Sequence, residues 1–417
     1  MSHSPLLLQL IIILGTARLL GAILKFFGQP LVIGEMVAGL ALGPAVFGAL
    51  SPDLHAAVFA RSSLPELDAL SQLGLVLFMF IVGAGLRLPS GARGQLKAAG
   101  WIGVLAVLIP IALGLAIAIP LHPQLAPPGV PLTTFALYMG VAVSITAFPV
   151  MARILKDRGE THTTVGRLAL TSAAVADVIS WVVLALVVIM AGTGKDMSHL
   201  WRLLGGVALL LVVLFKIVRP AVAWMLSKYA TDGRPAGALL AVLLMGTFAS
   251  AYTTAAIDVH PVFGAFLFGA CLPRDDRLLH SLIERIEHVS ILVLMPVFFA
   301  LAGLNTTPDA FVGAGPGAML LILAVSVGGK LLGGSIGARI AGQPWRPALA
   351  VGSLMNARGL MELIVIKVGL DAGIISRPLF TMLLVMAIVT TMMTGPLLNI
   401  FLRPGRSAQS AASVRER

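Results

Sequence analysis

Apolar runs of about 20 residues, each long enough to cross a hydrocarbon core as a helix, follow one another along the whole chain. Short polar stretches rich in Gly, Pro and basic residues separate them. The pattern predicts thirteen spans, at 5–27, 30–50, 66–87, 95–120, 131–156, 162–192, 198–218, 236–256, 260–273, 276–305, 315–341, 345–369 and 377–402, the ninth and tenth being the least regular. The loops leave no room for a soluble domain. Two spans are interrupted. In the fifth, Ser144-Ile-Thr-Ala-Phe-Pro149 sets hydroxyls next to a proline, which lacks a backbone donor and frees a carbonyl about one turn back. In the twelfth, Gly352-Ser-Leu-Met-Asn-Ala-Arg-Gly359 sets two glycines around Asn356 and Arg358. Such breaks are either ordinary kinks satisfied by Ser and Thr side chains, or a binding site built from freed carbonyls and half-helix ends.

Charge favours the second reading. Asp177 is the only ionisable side chain between Arg167 and Lys195, and a carboxylate at the centre of a span costs roughly 2.5–3.5 kcal/mol on insertion scales. Lys330 lies near the middle of the run from Ala318 to Ile340. Each buried charge is one span from a break: the fifth span precedes Asp177 and the twelfth follows Lys330.

Composition agrees with the pattern. The chain is 58% hydrophobic and 11% charged, against roughly 25% charged in soluble domains, which excludes a soluble globular protein. The lone cysteine, Cys271, excludes an internal disulfide and paired-cysteine motifs. The N-terminus has no basic lead-in or cleavage pattern and carries Arg18 in its apolar run, so it is read as a first helix. Assigned to the nearest loop, 20 basic residues fall on one side and 5 on the other. By the positive-inside tendency the N-terminus is expected outside and the C-terminus in the cytoplasm. The net charge of +11 thus calls for no nucleic acid, and anionic lipid is its natural further partner.

The stretches Gln29 to Pro44 (QPLVIGEMVAGLALGP), Thr146 to Leu155 (TAFPVMARIL), Val262 to Gly269 (VFGAFLFG), Pro296 to Leu304 (PVFFALAGL) and Met355 to Ile364 (MNARGLMELI) resemble the monovalent cation:proton antiporter-2 family. Among its members, the plant cation/proton exchangers and Kef-type membrane domains look most similar. The resemblance runs from about residue 5 to 402 and implies an all-α polytopic sodium/proton-antiporter fold. In that fold two inverted repeats form core and dimerisation domains with two broken crossing helices, and an elevator-like motion gives alternating access. It further implies a homodimer, monovalent cations (K+ or Na+) and protons as substrates, no cofactor, no metal beyond the transported ion, and no enzymatic activity. Asp177 matches the residue that carries cation or proton, and Lys330 matches the basic residue of the later core helix. The family usually has Asn, Asp or Gln before the aspartate; here Ala176 stands there. A methyl can neither hold Lys330 nor ligate a cation, so the sequence suggests a direct Lys330–Asp177 pair, weaker cation binding or lost exchange.

The expected mechanism needs one carboxylate: Asp177 takes either a largely dehydrated cation, aided by oxygens between Ser144 and Thr146, or a proton, in electroneutral exchange. Asn356 is a further site candidate. Glu35 is either a polar contact in the cavity or a packing residue, and Arg358 and Glu362, at i,i+4, suit an intrahelical ion pair. Gly328-Gly-Lys-Leu-Leu-Gly-Gly334 lacks phosphate-loop spacing, and its small residues suit close packing around Lys330. Asp258 and His260 are expected on a solvated outer loop. Residues 1–402 form the expected transmembrane domain, in a bacterial plasma membrane. Residues 403–417 form a disordered cytoplasmic tail, with no built-in regulatory domain. A cation channel or a sodium-coupled organic-anion symporter on the same fold are the rival readings, and an intramembrane hydrolase lacks its motifs.

Overall fold

The computed structural model describes residues 5–60, 62–85, 93–161, 163–191, 197–229, 237–257, 261–273, 276–312 and 315–402. Arg61, Arg87, Lys195, Arg234, Asp258, His260, Arg274 and the expected tail at 403–417 lie outside them. The described residues are helical: α1 (Leu6–Phe26), α2 (Leu31–Leu42), α3 (Pro52–Val58), α4 (Leu64–Gly85), α5 (Arg93–Leu125) and α6 (Leu132–Ser144). There follow α7 (Phe148–Asp157), α8 (Thr164–Ala191), α9 (Met197–Val213), α10 (Arg219–Tyr229), α11 (Gly237–Ala256) and α12 (Pro261–Cys271). The last are α13 (Asp276–Val289), α14 (Met295–Leu304), α15 (Gly315–Ile340), α16 (Trp345–Leu354), α17 (Leu360–Asp371) and α18 (Arg377–Phe401). Among the described residues 8 helical segments are long and apolar enough to cross a membrane, and α2, α6 and α12 are shorter apolar helices. The sequence pattern reads length and hydropathy well but sees through helix breaks, so one expected span covers both α6 and α7, and another both α16 and α17.

The chain divides into two compact units. The first comprises Met1–Ala17, Ala38–Arg87 and Gly192–Leu304. One of its cores gathers Ile13, Leu42, Phe59, Leu67, Val297 and Ala300, and the amide of Gln9 ties α1 to the loop beyond α3 by donating to the Val58 carbonyl at 2.7 Å and to Ser63 Oγ at 2.6 Å. Large apolar side chains such as Leu209, Ile217 and Met245 point outward. In water that surface would drive aggregation, whereas in lipid it is the natural outer face.

The second unit comprises Arg18–Val37, Leu88–Ala191 and Asn305–Arg417 and holds Glu35, Ser144, Thr146, Asp177, Lys330, Asn356, Arg358 and Glu362. A core running through Ile102, Met151, Ile154, Ala169, Val351, Leu354 and Met355 joins α5, α7, α8 and α16. The axis of this unit is α15, brought close to its neighbours by small residues. A side chain at Gly329 would meet Pro110 at 3.2 Å, one at Gly333 the Leu105 carbonyl at 2.5 Å, and one at Gly334 the Cα of Gly352 at 2.7 Å. Gly328 faces open space. This close approach delivers the Lys330 side chain, fully buried, to the first interruption.

Those interruptions differ in detail from the sequence expectation. The first unwinds only Ile145–Ala147, with Ile145 extended. Pro149 then falls in the first turn of α7, where its missing N–H has no intrahelical partner to lose. The second unwinds 355–359. Gly352 lies inside α16 as a packing contact, and Gly359 is the residue that starts α17. The tight contact predicts that Gly334→Ala lowers the thermal midpoint of the purified protein, by about 1–3 kcal/mol of overpacking. Gly328→Ala should leave it unchanged or slightly raised, because alanine favours helix and meets nothing. Equal midpoints for the two variants would contradict the close α15–α16 approach.

Candidate functional site

A helix that stops inside an apolar interior leaves its last four carbonyls without intrahelical donors, and each unsatisfied group costs several kcal/mol there. At the end of α6 those groups belong to Val141, Ala142, Val143 and Ser144, and all four are satisfied. The Ser144 hydroxyl donates to the Val141 carbonyl at 2.8 Å. Arg358 donates Nη1 to the Ala142 carbonyl at 3.1 Å and Nη2 to the Val143 carbonyl at 2.5 Å. Lys330 Nζ donates to the Ser144 carbonyl, and also to the Ala106 carbonyl at 3.0 Å and to Thr146 Oγ1 at 2.6 Å. Two cations therefore sit where the helix dipole is negative. Arg358 is balanced by Glu362, 2.8 Å away with both side chains fully buried.

The second interruption is held just as closely. The Ala147 N–H donates to the Ala357 carbonyl at 2.8 Å, joining the two unwound segments through their backbones. Thr391 of α18 accepts from the Arg358 N–H at 2.8 Å and donates to the Arg358 carbonyl at 2.9 Å. Thr146 Oγ1 reaches the Met355 carbonyl at 3.5 Å.

Asp177 lies on α8 with 7% exposure. Its carboxylate faces the backbone N–H of Phe148 at the start of α7, the positive end of a helix dipole and a natural seat for an anion. Oδ1 has no hydrogen-bond partner among the described residues. Asp177 lines a cavity of about 10 Å³ with Ile145, Ser180, Met361 and Val365, room for about one water-sized sphere. Ser180 Oγ is also without a partner among the described residues.

The sequence-predicted residues thus fall into separate groups. Ser144, Thr146 and Lys330 come together, and the direct Lys330–Asp177 pair suggested by Ala176 is absent among the described residues: all three ammonium hydrogens go to Ala106, Ser144 and Thr146. Lys330 donates to the Ser144 carbonyl and to the Thr146 hydroxyl, and the Ser144 hydroxyl donates to the Val141 carbonyl, so in this structure the expected cation-ligating oxygens of the break are hydrogen-bonded within the protein. Asn356 is fully buried with neither amide atom partnered among the described residues, but it does not line the Asp177 cavity. Glu35, buried on α2, does not line it either. Ala176 is fully buried against its surroundings. The residue the sequence reading missed is Ser180, three positions after Asp177 and hence on the same helix face; that spacing was the available signal.

Comparison with known proteins now becomes informative. Residues 11–403 match the family described as "Sodium/hydrogen exchanger, transmembrane". The chain is 37% identical over 396 residues to the Na(+)/H(+) antiporter NhaS4 of Synechocystis sp., covering 94% of this chain and 96% of that one. It is 36% identical over 409 residues to Cation/H(+) antiporter 17 of Arabidopsis thaliana, covering 97% of this chain and 49% of the relative. To K(+)/H(+) antiporter 1 of Saccharomyces cerevisiae it is 34% identical over 411 residues, covering 96% and 47%. The chain therefore spans about half the length of the plant and yeast relatives. The solved sodium proton antiporter MjNhaP1 of Methanocaldococcus jannaschii shares the fold, with TM-score 0.66 at 15% identity over 94% of this chain and 96% of that chain. With this match over nearly its whole length, the chain belongs to the monovalent cation:proton antiporters of the sodium/hydrogen exchanger family, which are transporters and not enzymes.

Proposed function

We propose that the chain exchanges K+ or Na+ for protons, with Asp177 carrying either ion. The observation that carries this reading is the Asp177 carboxylate. It is buried, it has one oxygen unpartnered among the described residues, and it borders a cavity of about one water-sized sphere, while the nearby ammonium is committed elsewhere. A dehydrated cation or a proton neutralises the carboxylate, and either occupied form can cross a low-dielectric barrier. The bare anion is held back by its desolvation cost. Ser180 Oγ supplies a neutral oxygen on the same face of α8. The relatives' names divide between Na(+) and K(+), and both ions are candidates here.

In this reading the chain crosses the membrane thirteen times, as an inverted-repeat bundle whose two broken helices cross. The N-terminus lies outside and the C-terminus in the cytoplasm of a bacterial plasma membrane. Two copies form a dimer, and the second unit, with its joined helix breaks, moves elevator-fashion. Residues 1–402 do this work.

Two outcomes follow. In acid-loaded proteoliposomes carrying a pH-sensitive dye, added K+ or Na+ should release protons from wild type. Asp177→Asn should reduce the response at least about 100-fold, because a neutral amide neither binds a proton nor balances a cation. An undiminished response in that variant would remove Asp177 from the mechanism. Lys330→Gln should lower the thermal midpoint, by about 2–5 kcal/mol from stranded carbonyls. The exchange that remains should stay insensitive to an imposed membrane potential, as in wild type. A potential-driven wild type that loses this response in Lys330→Gln would make the lysine a second titrating group and end the one-carboxylate mechanism.

A further inference from the structure

Away from Asp177, the second unit contains a much larger cavity, about 440 Å³, within the range of small-ligand sites. It is walled by the α1–α2 turn, by α7 and by α18. Its charge is one-sided: Lys25 and Arg158 line it, and no carboxylate does among the described residues. Arg158 donates Nη2 to Asn399 Oδ1, a neutral partner, and makes no ion pair among the described residues, which leaves Nη1 and Nε for a ligand. Lys25 makes no ion pair among the described residues, so its three donors are uncommitted. Gln29, which also lines the cavity, donates to the Met392 carbonyl at 3.3 Å. Gly28 adopts φ 73° with open space where a side chain would stand, and beside Gly395 the nearest atom to such a position is Arg158 Nη1 at 4.0 Å. The floor includes Thr391, the residue that clasps both backbone groups of Arg358.

The chemistry of this open pocket, with Lys25 and Arg158 both exposed at it, is that of an anion site. A bare monovalent cation would be repelled by two fixed positive charges, and a halide would fill only a fraction of the volume. An Arg fork and a Lys point charge together suit phosphate oxygens. The remaining walls are apolar or amide, suited to a glycerol or sugar body. Both cations belong to the side of the chain rich in basic residues, where anionic lipid collects on the cytoplasmic reading of the sequence. We propose that this cavity binds a phosphate-bearing organic anion, bridged by Lys25 and Arg158. Because Thr391 forms its floor, the occupant rests directly on the residue that pins the second helix break. The same chemistry is available from the headgroup of an anionic phospholipid or from a soluble phosphate such as a nucleotide.

The test uses the full chain in neutral detergent and reads the thermal midpoint during titration with phosphatidylglycerol, phosphatidylcholine, inorganic phosphate and ATP. A saturable upward shift is expected with phosphatidylglycerol or with ATP, weakening as salt rises. The half-saturating concentration should rise at least about tenfold in Arg158→Gln and in Lys25→Gln. It should recover substantially in Arg158→Lys and be unaffected in Lys228→Gln, a cation placed elsewhere. A response to phosphatidylglycerol alone identifies the lipid headgroup as the source; a response to ATP or phosphate alone identifies a soluble ligand. If no phosphate probe shifts the midpoint, or if the shift is the same in both cavity variants as in Lys228→Gln, the site does not exist. Should Arg158→Gln fail to give monodisperse protein, Lys25→Gln decides, because the exposed Lys25 side chain makes no ion pair among the described residues whose loss would unfold the chain. The readout is binding, so its failure is separate from any failure of the exchange assay.

Discussion

The structure of the second unit turns on one constraint: a helix has been ended inside an apolar interior, and its last carbonyls must find donors. Water is not at hand, and neighbouring helices have spent their own N–H groups. The donors come from Arg358, Lys330 and the Ser144 hydroxyl. Removing two cations from water has a large desolvation cost. It is offset here because the end of α6 offers carbonyls and a negative dipole, and because Glu362 and Asp177 bring two negative charges to the same neighbourhood. The buried charges and the broken helix therefore explain one another, since neither would be stable alone.

This division of labour decides what is left for function. Arg358 and Glu362 close on each other, and Lys330 is spent on oxygens of α5, α6 and the first break. Asp177 keeps Oδ1 without a partner among the described residues and borders a cavity, whereas Glu362, whose Oε1 is likewise unpartnered, is held in its ion pair with Arg358. With Arg358 paired to Glu362 and Lys330 held by neutral oxygens, Asp177 is the carboxylate left for an entering ion to neutralise. One proton or one monovalent cation on Asp177 changes the charge of the site by the same amount, so the two loaded forms meet the same electrostatic barrier. On the proposed mechanism, competition at one carboxylate gives exchange, and the rest of the polar network is scaffold.

How much of this could be read from the sequence differs by feature. The spans were legible because apolar length is a one-dimensional property. Asp177 and Lys330 were legible because a charge in an apolar run stands out without any partner. The break after Ser144 was legible through Pro149, although the proline starts α7 and does not bend a continuous helix. What Lys330 holds was not legible. Its acceptors are two backbone carbonyls and a hydroxyl, 184 to 224 residues distant in sequence, and a carbonyl has no residue identity to recognise. Ser180 escaped for the opposite reason: hydroxyls are common in helices, where they bond their own backbone, and only the absence of that bond marks this one.

Ala176 shows why partner identity misled the sequence reading. A methyl cannot hold an ammonium, so a chain viewed as side chains alone leaves Lys330 facing Asp177. The backbone supplies a third possibility. Ending α6 one turn from Lys330 creates an acceptor at Ser144, and the glycine contacts along α15 bring the lysine near enough to use it. The alanine is then compatible with an ordered lysine and an unpaired aspartate, provided that the break and the close packing are both kept. The small residues of α15 are thus as much a part of the proposed ion site as the carboxylate, although the glycines among them carry no side chain at all.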